Sequence, residues 1–207
     1  MKTHRLLLLI CSLVMCFALS ACGSSSAPSG QAAASGVSAK TSDAAPAASL
    51  PGKKTLIAYF SYSGTTQRAA QDAAKITGGD LFRIETVTPY PGAYRECTEV
   101  AKAELKQNRR PALKTPQVPG LKDYEVVFIG YPIWWHEAPM AVYSFIEQND
   151  LSGKTVVLFC TSGGNSIDQT LPRLHKALPN ATIIDGITVN RPTGIDEWLG
   201  KLGYKAN

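Results

Sequence analysis

This 207-residue chain is short of metal-ligand clusters, of charge of one sign and of long apolar runs. It has three histidines, and no His/Cys/Asp group falls at metal-ligand spacing, so nothing in the sequence argues for a metal centre. Of the five cysteines, Cys11, Cys16 and Cys22 fall near the N-terminus, leaving Cys97 and Cys160. Cys160 ends a very apolar run and reads as a buried thiol; a disulfide to Cys97 is open outside the cytoplasm but has no support in the spacing. Without Lys2, Arg5, Lys40 and Asp43, 18 basic and 15 acidic residues remain, a net of +3. That is no nucleic-acid footprint, and Arg109-Arg110 is too short a run to make one. The longest apolar run, Leu6 to Leu19, falls short of the roughly 20 residues a membrane-spanning helix needs.

What the N-terminus does contain is a sequence address. Lys2, His4 and Arg5 form a basic head, the apolar run follows, and Leu19-Ser20-Ala21-Cys22 closes it. Small residues before a cysteine resemble the lipobox of bacterial lipoproteins. The resemblance implies a signal peptide over 1–22, lipidation at Cys22 and a place in the bacterial cell envelope, outside the cytoplasm. The plainer alternative is an ordinary signal peptide with an incidental cysteine. Residues 23–52 are dominated by Gly, Ser, Ala and Pro and read as a disordered tether, reaching about 30 Å as a flexible coil. Residues 53–207 are one domain's worth of chain.

Within that domain, apolar runs alternate with helical periods. Leu56 to Phe60 reads as a first strand, and Ala69, Ala70, Ala73, Ala74 and Ile76 share one helical face after it. Gly78-Gly79 stops that helix, and Leu81–Glu85 is a second strand. Tyr94, Cys97, Ala101 and Leu105 predict an amphipathic helix ending near Arg110-Pro111. Residues 111–122, with three prolines, predict a covering loop. Glu125–Gly130 and Lys154–Cys160 are apolar enough for strands buried on both faces. Between them a helix runs from about Pro139 to Gln148. Thr170 is the expected cap of a fourth helix with Pro172 in its first turn. A fifth strand runs from Ala181 to Ile184 or on to Val189, and Ile195, Trp198, Leu199 and Leu202 make a last helix. This alternation predicts an α/β fold, a doubly wound five-stranded parallel sheet of order 2-1-3-4-5 with helices on both faces.

A ligand then belongs at the carboxyl ends of strands one, three and four. Strand one ends in Ser61-Tyr62-Ser63-Gly64-Thr65-Thr66, a polar turn entering a helix N-terminus, where unpaired N–H groups and the helix dipole favour a phosphate. Strand three ends in Tyr131-Pro132-Ile133-Trp134-Trp135, and strand four in Thr161-Ser162-Gly163-Gly164-Asn165, a glycine-rich loop expected to offer free backbone amides. A planar ring with a phosphate tail needs such a set.

With those three segments in that order, most of residues 55–190 resembles the flavodoxin superfamily. It resembles more closely the bacterial flavodoxin-like proteins that carry Tyr-Pro-Ile-Trp-Trp and Thr-Ser-Gly-Gly at these places. The resemblance implies non-covalent FMN, with Ser61, Tyr62, Ser63, Gly64, Thr65 and Thr66 on the phosphate. Tyr131 to Trp135 and Thr161 to Asn165 would flank the isoalloxazine. Neighbours on an extended segment point to opposite faces, so at most one of Trp134 and Trp135 is expected to face the ring. His136 and Glu137 stay open between proton donor and solvent-facing loop, and His175 reads as a surface residue. Electron-carrier flavodoxins usually add a second aromatic after strand four and a strongly acidic surface. Here no aromatic occurs from Thr161 to Thr170 and the domain is slightly basic, which moves the resemblance toward flavin and quinone reductases. The expected function is FMN-dependent electron transfer or reduction of a small acceptor, with donor and acceptor unidentified. The competing class is a flavodoxin-fold binding or scaffold lipoprotein without redox turnover.

Overall fold

The structure, a computed structural model, describes residues 49–189 and 194–205, all within one compact unit, Ala44–Asn207. The expected signal peptide, Cys22 and nearly all of the expected tether lie outside the described residues. No described helix is long and apolar enough to cross a membrane.

Among the described residues, five strands, β1 (Thr55–Tyr59), β2 (Asp80–Arg83), β3 (Val126–Pro132), β4 (Thr155–Thr161) and β5 (Thr182–Thr188), alternate with five α-helices. The helices are α1 (Thr65–Thr77), α2 (Tyr94–Lys106), α3 (Met140–Gln148), α4 (Leu171–Ala177) and α5 (Gly194–Lys201). All strand pairs are parallel, and the sheet order is β2-β1-β3-β4-β5. The expected fold is the observed one.

Its cause is visible in the strands. Leu56 and Ala58 point into a core with Ile129, Leu158 and Phe145, whereas Ile57 and Tyr59 point into another with Phe128, Phe159 and Trp198. Successive side chains alternate between faces, so a strand apolar at every position must be covered on both. Helix α1 meets the sheet through Ala69, Ala70 and Ala73, whose small side chains let the helix backbone approach closely. Gly78 ends it in the left-handed conformation, its amide bonded to Ala74 O at 2.9 Å.

Four local expectations are corrected. Strand β2 ends at Arg83 because the chain after it pairs with the segment expected to be an irregular loop. Thr86 bridges Leu113 antiparallel, Lys114 N donates to Glu85 O and Val87 N to Ala112 O, making a short ribbon. Strand β3 runs two residues beyond Gly130, since Tyr131 and Pro132 pair with Cys160 and Thr161. Helix α2 stops at Lys106, short of Arg110. Thr170 occupies the cap position of α4 without capping: its hydroxyl donates to Ile167 O at 2.8 Å and meets Tyr131 Oη at 2.7 Å. Cys97 and Cys160 are both free and buried.

Candidate active site

The turn after β1 divides its residues between frame and opening. Ser61 and Thr66 are buried, and Ser61 Oγ accepts from Gln67 N at 3.2 Å. Thr66 Oγ1 lies 2.8 Å from Thr161 Oγ1, tying the first turn of α1 to the end of β4. Tyr62 Oη is 2.7 Å from Pro91 O and 3.0 Å from Gly92 O, which fixes the turn to the segment before α2. Ser63 and Thr65 remain exposed, 3.3 Å apart. Gly64 holds the turn open with φ of 87°, a left-handed conformation that suits glycine, and no side chain caps the helix. The amides of Ser63, Gly64, Thr65 and Thr66 have no acceptor among the described residues. Orphan amides at a positive helix end are an anion site in chemical terms.

The segment after β3 folds into a two-residue reverse turn. Trp134 N donates to Glu137 O at 2.9 Å, and Glu137 N to Trp134 O at 3.0 Å. Trp135 and His136 between them have φ of 51° and 64°, a conformation that costs a non-glycine residue about 1–3 kcal/mol. This turn separates the two tryptophans. Trp134 stands edge-on to Tyr90, Phe60 and Tyr62 at centroid distances of 5.0, 5.4 and 5.8 Å. Trp135 is 42 % exposed, its indole N–H donates to Thr98 O, and Lys102 Nζ sits 4.9 Å above its ring. His136 Nδ1 is 3.1 Å from Gln169 Oε1, and Glu137 accepts from Tyr143 Oη at 2.9 Å. Tyr131 has a fully buried side chain in the core on the α3 side, and burial pushes its phenol well above its ordinary range. Its ring is therefore part of the scaffold.

The glycine loop differs from expectation in its amides. Ser162 Oγ accepts from Gly164 N at 3.2 Å and Asn165 N at 2.7 Å, so these two amides are already engaged by the loop itself. A serine hydroxyl closing on amides two and three residues ahead is a local turn device. Gly163 and Gly164 are exposed, and a Cβ at either would meet nothing within 4 Å.

These segments surround one cleft of about 360 Å³, within the range of small-ligand sites. Ile133 to His136 and Ser162 to Asn165 face each other across it, with Tyr62 from the first turn. Tyr94, Cys97 and Thr98 of α2 also line it, which the sequence does not announce. A 3.6-residue period assigns them a face without saying what that face meets. Among the described residues, no Asp, Glu, Lys or Arg lines the cleft. Burial pushes the Cys97 thiol up, only partly offset by a hydrogen bond with Tyr62. His175 lies on α4 and does not line the cleft.

An uncharged, aromatic-walled cleft beside an uncapped helix end fits a planar ring carrying an anionic tail. The bare backbone at Gly163 and Gly164 leaves room for close approach of that ring.

The chain matches the sequence model of a family described as Flavodoxin over residues 54–202. A crystal structure of a candidate flavoprotein from Bacteroides eggerthii is 40% identical, with a TM-score of 0.67, covering 74% of this chain and 99% of that one. A second, from Bacteroides uniformis, is 34% identical at a TM-score of 0.67, covering 72% and 99%. A flavoprotein from Lactobacillus acidophilus, crystallised with FMN, shares 20% identity and the fold, with a TM-score of 0.61 over 73% and 99%. Comparison with curated proteins returns no match.

Proposed function

From the premise that this chain belongs to the flavodoxin family, we propose that it is an FMN-binding redox protein held at a bacterial membrane by a lipid on Cys22. The observation that carries the flavin reading is the convergence of orphan amides at Ser63–Thr66 with the uncharged cleft beside them. The hydroxyls of Ser63 and Thr65, with those amides, hold the phosphate; Ser61 and Thr66 hold the turn. The Ile133–Trp135 segment bounds the isoalloxazine, with at most one of its two tryptophan rings facing it, and Ser162 to Asn165 bound its polar edge. Bound FMN supplies one- and two-electron redox chemistry, and the protein supplies position, polarity and exclusion of water.

The glycine loop carries no ring to cover the opposite flavin face, which supports reduction of a small acceptor over service purely as a carrier. The electron donor is unassigned. Purified protein is expected to be yellow and to release flavin on denaturation. A colourless protein that also ignores added FMN refutes the reading. The anchor is tested separately: Cys22→Ser in the full chain should move the protein from the membrane to the soluble fraction, and unchanged partition refutes the lipid.

A further inference from the structure

A second cavity, of about 210 Å³, opens at the carboxyl ends of β1 and β2 and shares only Tyr62 with the cleft above. Its buried lining is Phe60, Ser61, Ile84 and Thr86, and Tyr90 forms a wall. Phe60 and Tyr90 meet edge to face at 5.6 Å and, with Ile84 and Pro89, make the apolar part of the lining. The ribbon joining Glu85–Val87 to Ala112–Lys114 builds the outer rim, which makes the cavity a product of the tertiary pairing.

Three charged side chains stand on that rim. Glu85 Oε1 lies 3.7 Å from Arg83 Nε and 3.7 Å from Lys114 Nζ. Both separations exceed hydrogen-bond length, and neither cation has a hydrogen bond among the described residues. One carboxylate oxygen thus serves two cations, and the rim keeps one positive charge in excess. Loose, half-exposed ion pairs of this kind hold their partners weakly, so an incoming anion displaces little.

We propose that this cavity is a binding site for a small organic monocarboxylate whose planar or apolar body enters against Phe60 and Tyr90. The charge balance selects a monoanion, since a dianionic phosphate would leave the rim negative beside Glu85. A guanidinium fork matches a carboxylate geometrically, and an ammonium group beside it adds a second donor. The edge-to-face rings favour a body of benzoate size over an aliphatic polyol. Its charged groups lie outside the Ser61–Thr66 turn, of which only Ser61 and Tyr62 line the cavity.

The test is fluorobenzoate titrated into the full chain and followed by fluorine NMR, with unfolding midpoints recorded for every variant. Saturable binding is expected, weakened about tenfold or more when Arg83→Gln and Lys114→Gln are combined. Glu85→Gln is expected to tighten binding, and neutral fluorobenzamide to bind far more weakly than the acid. Absence of saturation, equal affinity for the amide, or unchanged affinity in the paired variant would overturn the proposal, as would inorganic phosphate competing at lower concentration than benzoate. If the paired variant loses its fold, the acid-against-amide comparison on the native chain and Glu85→Gln still decide.

Discussion

Thr66 and Thr161, 95 residues apart in sequence, meet through their hydroxyls at 2.8 Å in a buried contact. That bond joins the turn after β1 to the end of β4, and so sets the distance between the anion site and the glycine loop. Removing one partner strands the other without water, which costs about 1–3 kcal/mol. Thr66→Val and Thr161→Val should each destabilise by that order, and the pair by less than the sum. Denaturant unfolding of the double-mutant cycle checks this. Additive losses would show that the two hydroxyls do not depend on one another.

The turn at Trp135 and His136 places two side-chain-bearing residues at φ of 51° and 64°. His136→Gly should therefore stabilise by about 1 kcal/mol, raising the melting temperature by a few degrees. His136→Ala keeps the Cβ and should bring no such gain. The comparison by calorimetry isolates backbone strain from loss of the imidazole.

Gly130 sits in β3 opposite Phe159, and a Cβ there would lie 2.1 Å from the ring. Gly130→Ala should cost about 1–3 kcal/mol through overpacking. Adding Phe159→Leu should recover part of that loss. If Gly130→Ala alone is neutral in denaturant melts, the sheet is more compliant at this point than its packing indicates.

Glu104 is buried on α2 and accepts from Tyr90 Oη at 2.7 Å. Burial pushes its carboxyl above the usual range, while the bonds from Tyr90 and the charge of Arg109 pull it part of the way back. The folded state then binds more protons than the unfolded one between the two values. Stability from this group falls as pH rises from the ordinary carboxylate pKa through the raised one. Glu104→Gln should flatten that fall, and Tyr90→Phe, by removing a donor to the carboxylate, should steepen it. Unfolding free energies between about pH 4 and 8 measure both slopes.

Strand and helix identities were readable because their causes are local. Apolar residues at every position of Val126–Ile129 and Val156–Cys160 leave no face for water. Element ends were less readable, since they depend on partners. Tyr131 and Pro132 extend β3 only because β4 reaches alongside, and Glu85 leaves the sheet edge because residues 112–114 are there to pair with it. The same holds for the cleft. Tyr131 reads as an aromatic at a strand end, yet its alternation with Gly130 sends its ring into the core. The free amides expected at Gly164 and Asn165 are consumed by Ser162.

Sequence alone determined the strand-turn-helix order, the double-sided burial of the sheet and the three strand-end segments, because periodicity and turn chemistry act within a few residues. Tertiary structure decided which hydroxyls of Ser61–Thr66 remain available, how the reverse turn sends Trp134 and Trp135 to different surroundings, and that α2 closes the cleft. Each of those depends on contacts between residues tens of positions apart, whose geometry no local pattern carries.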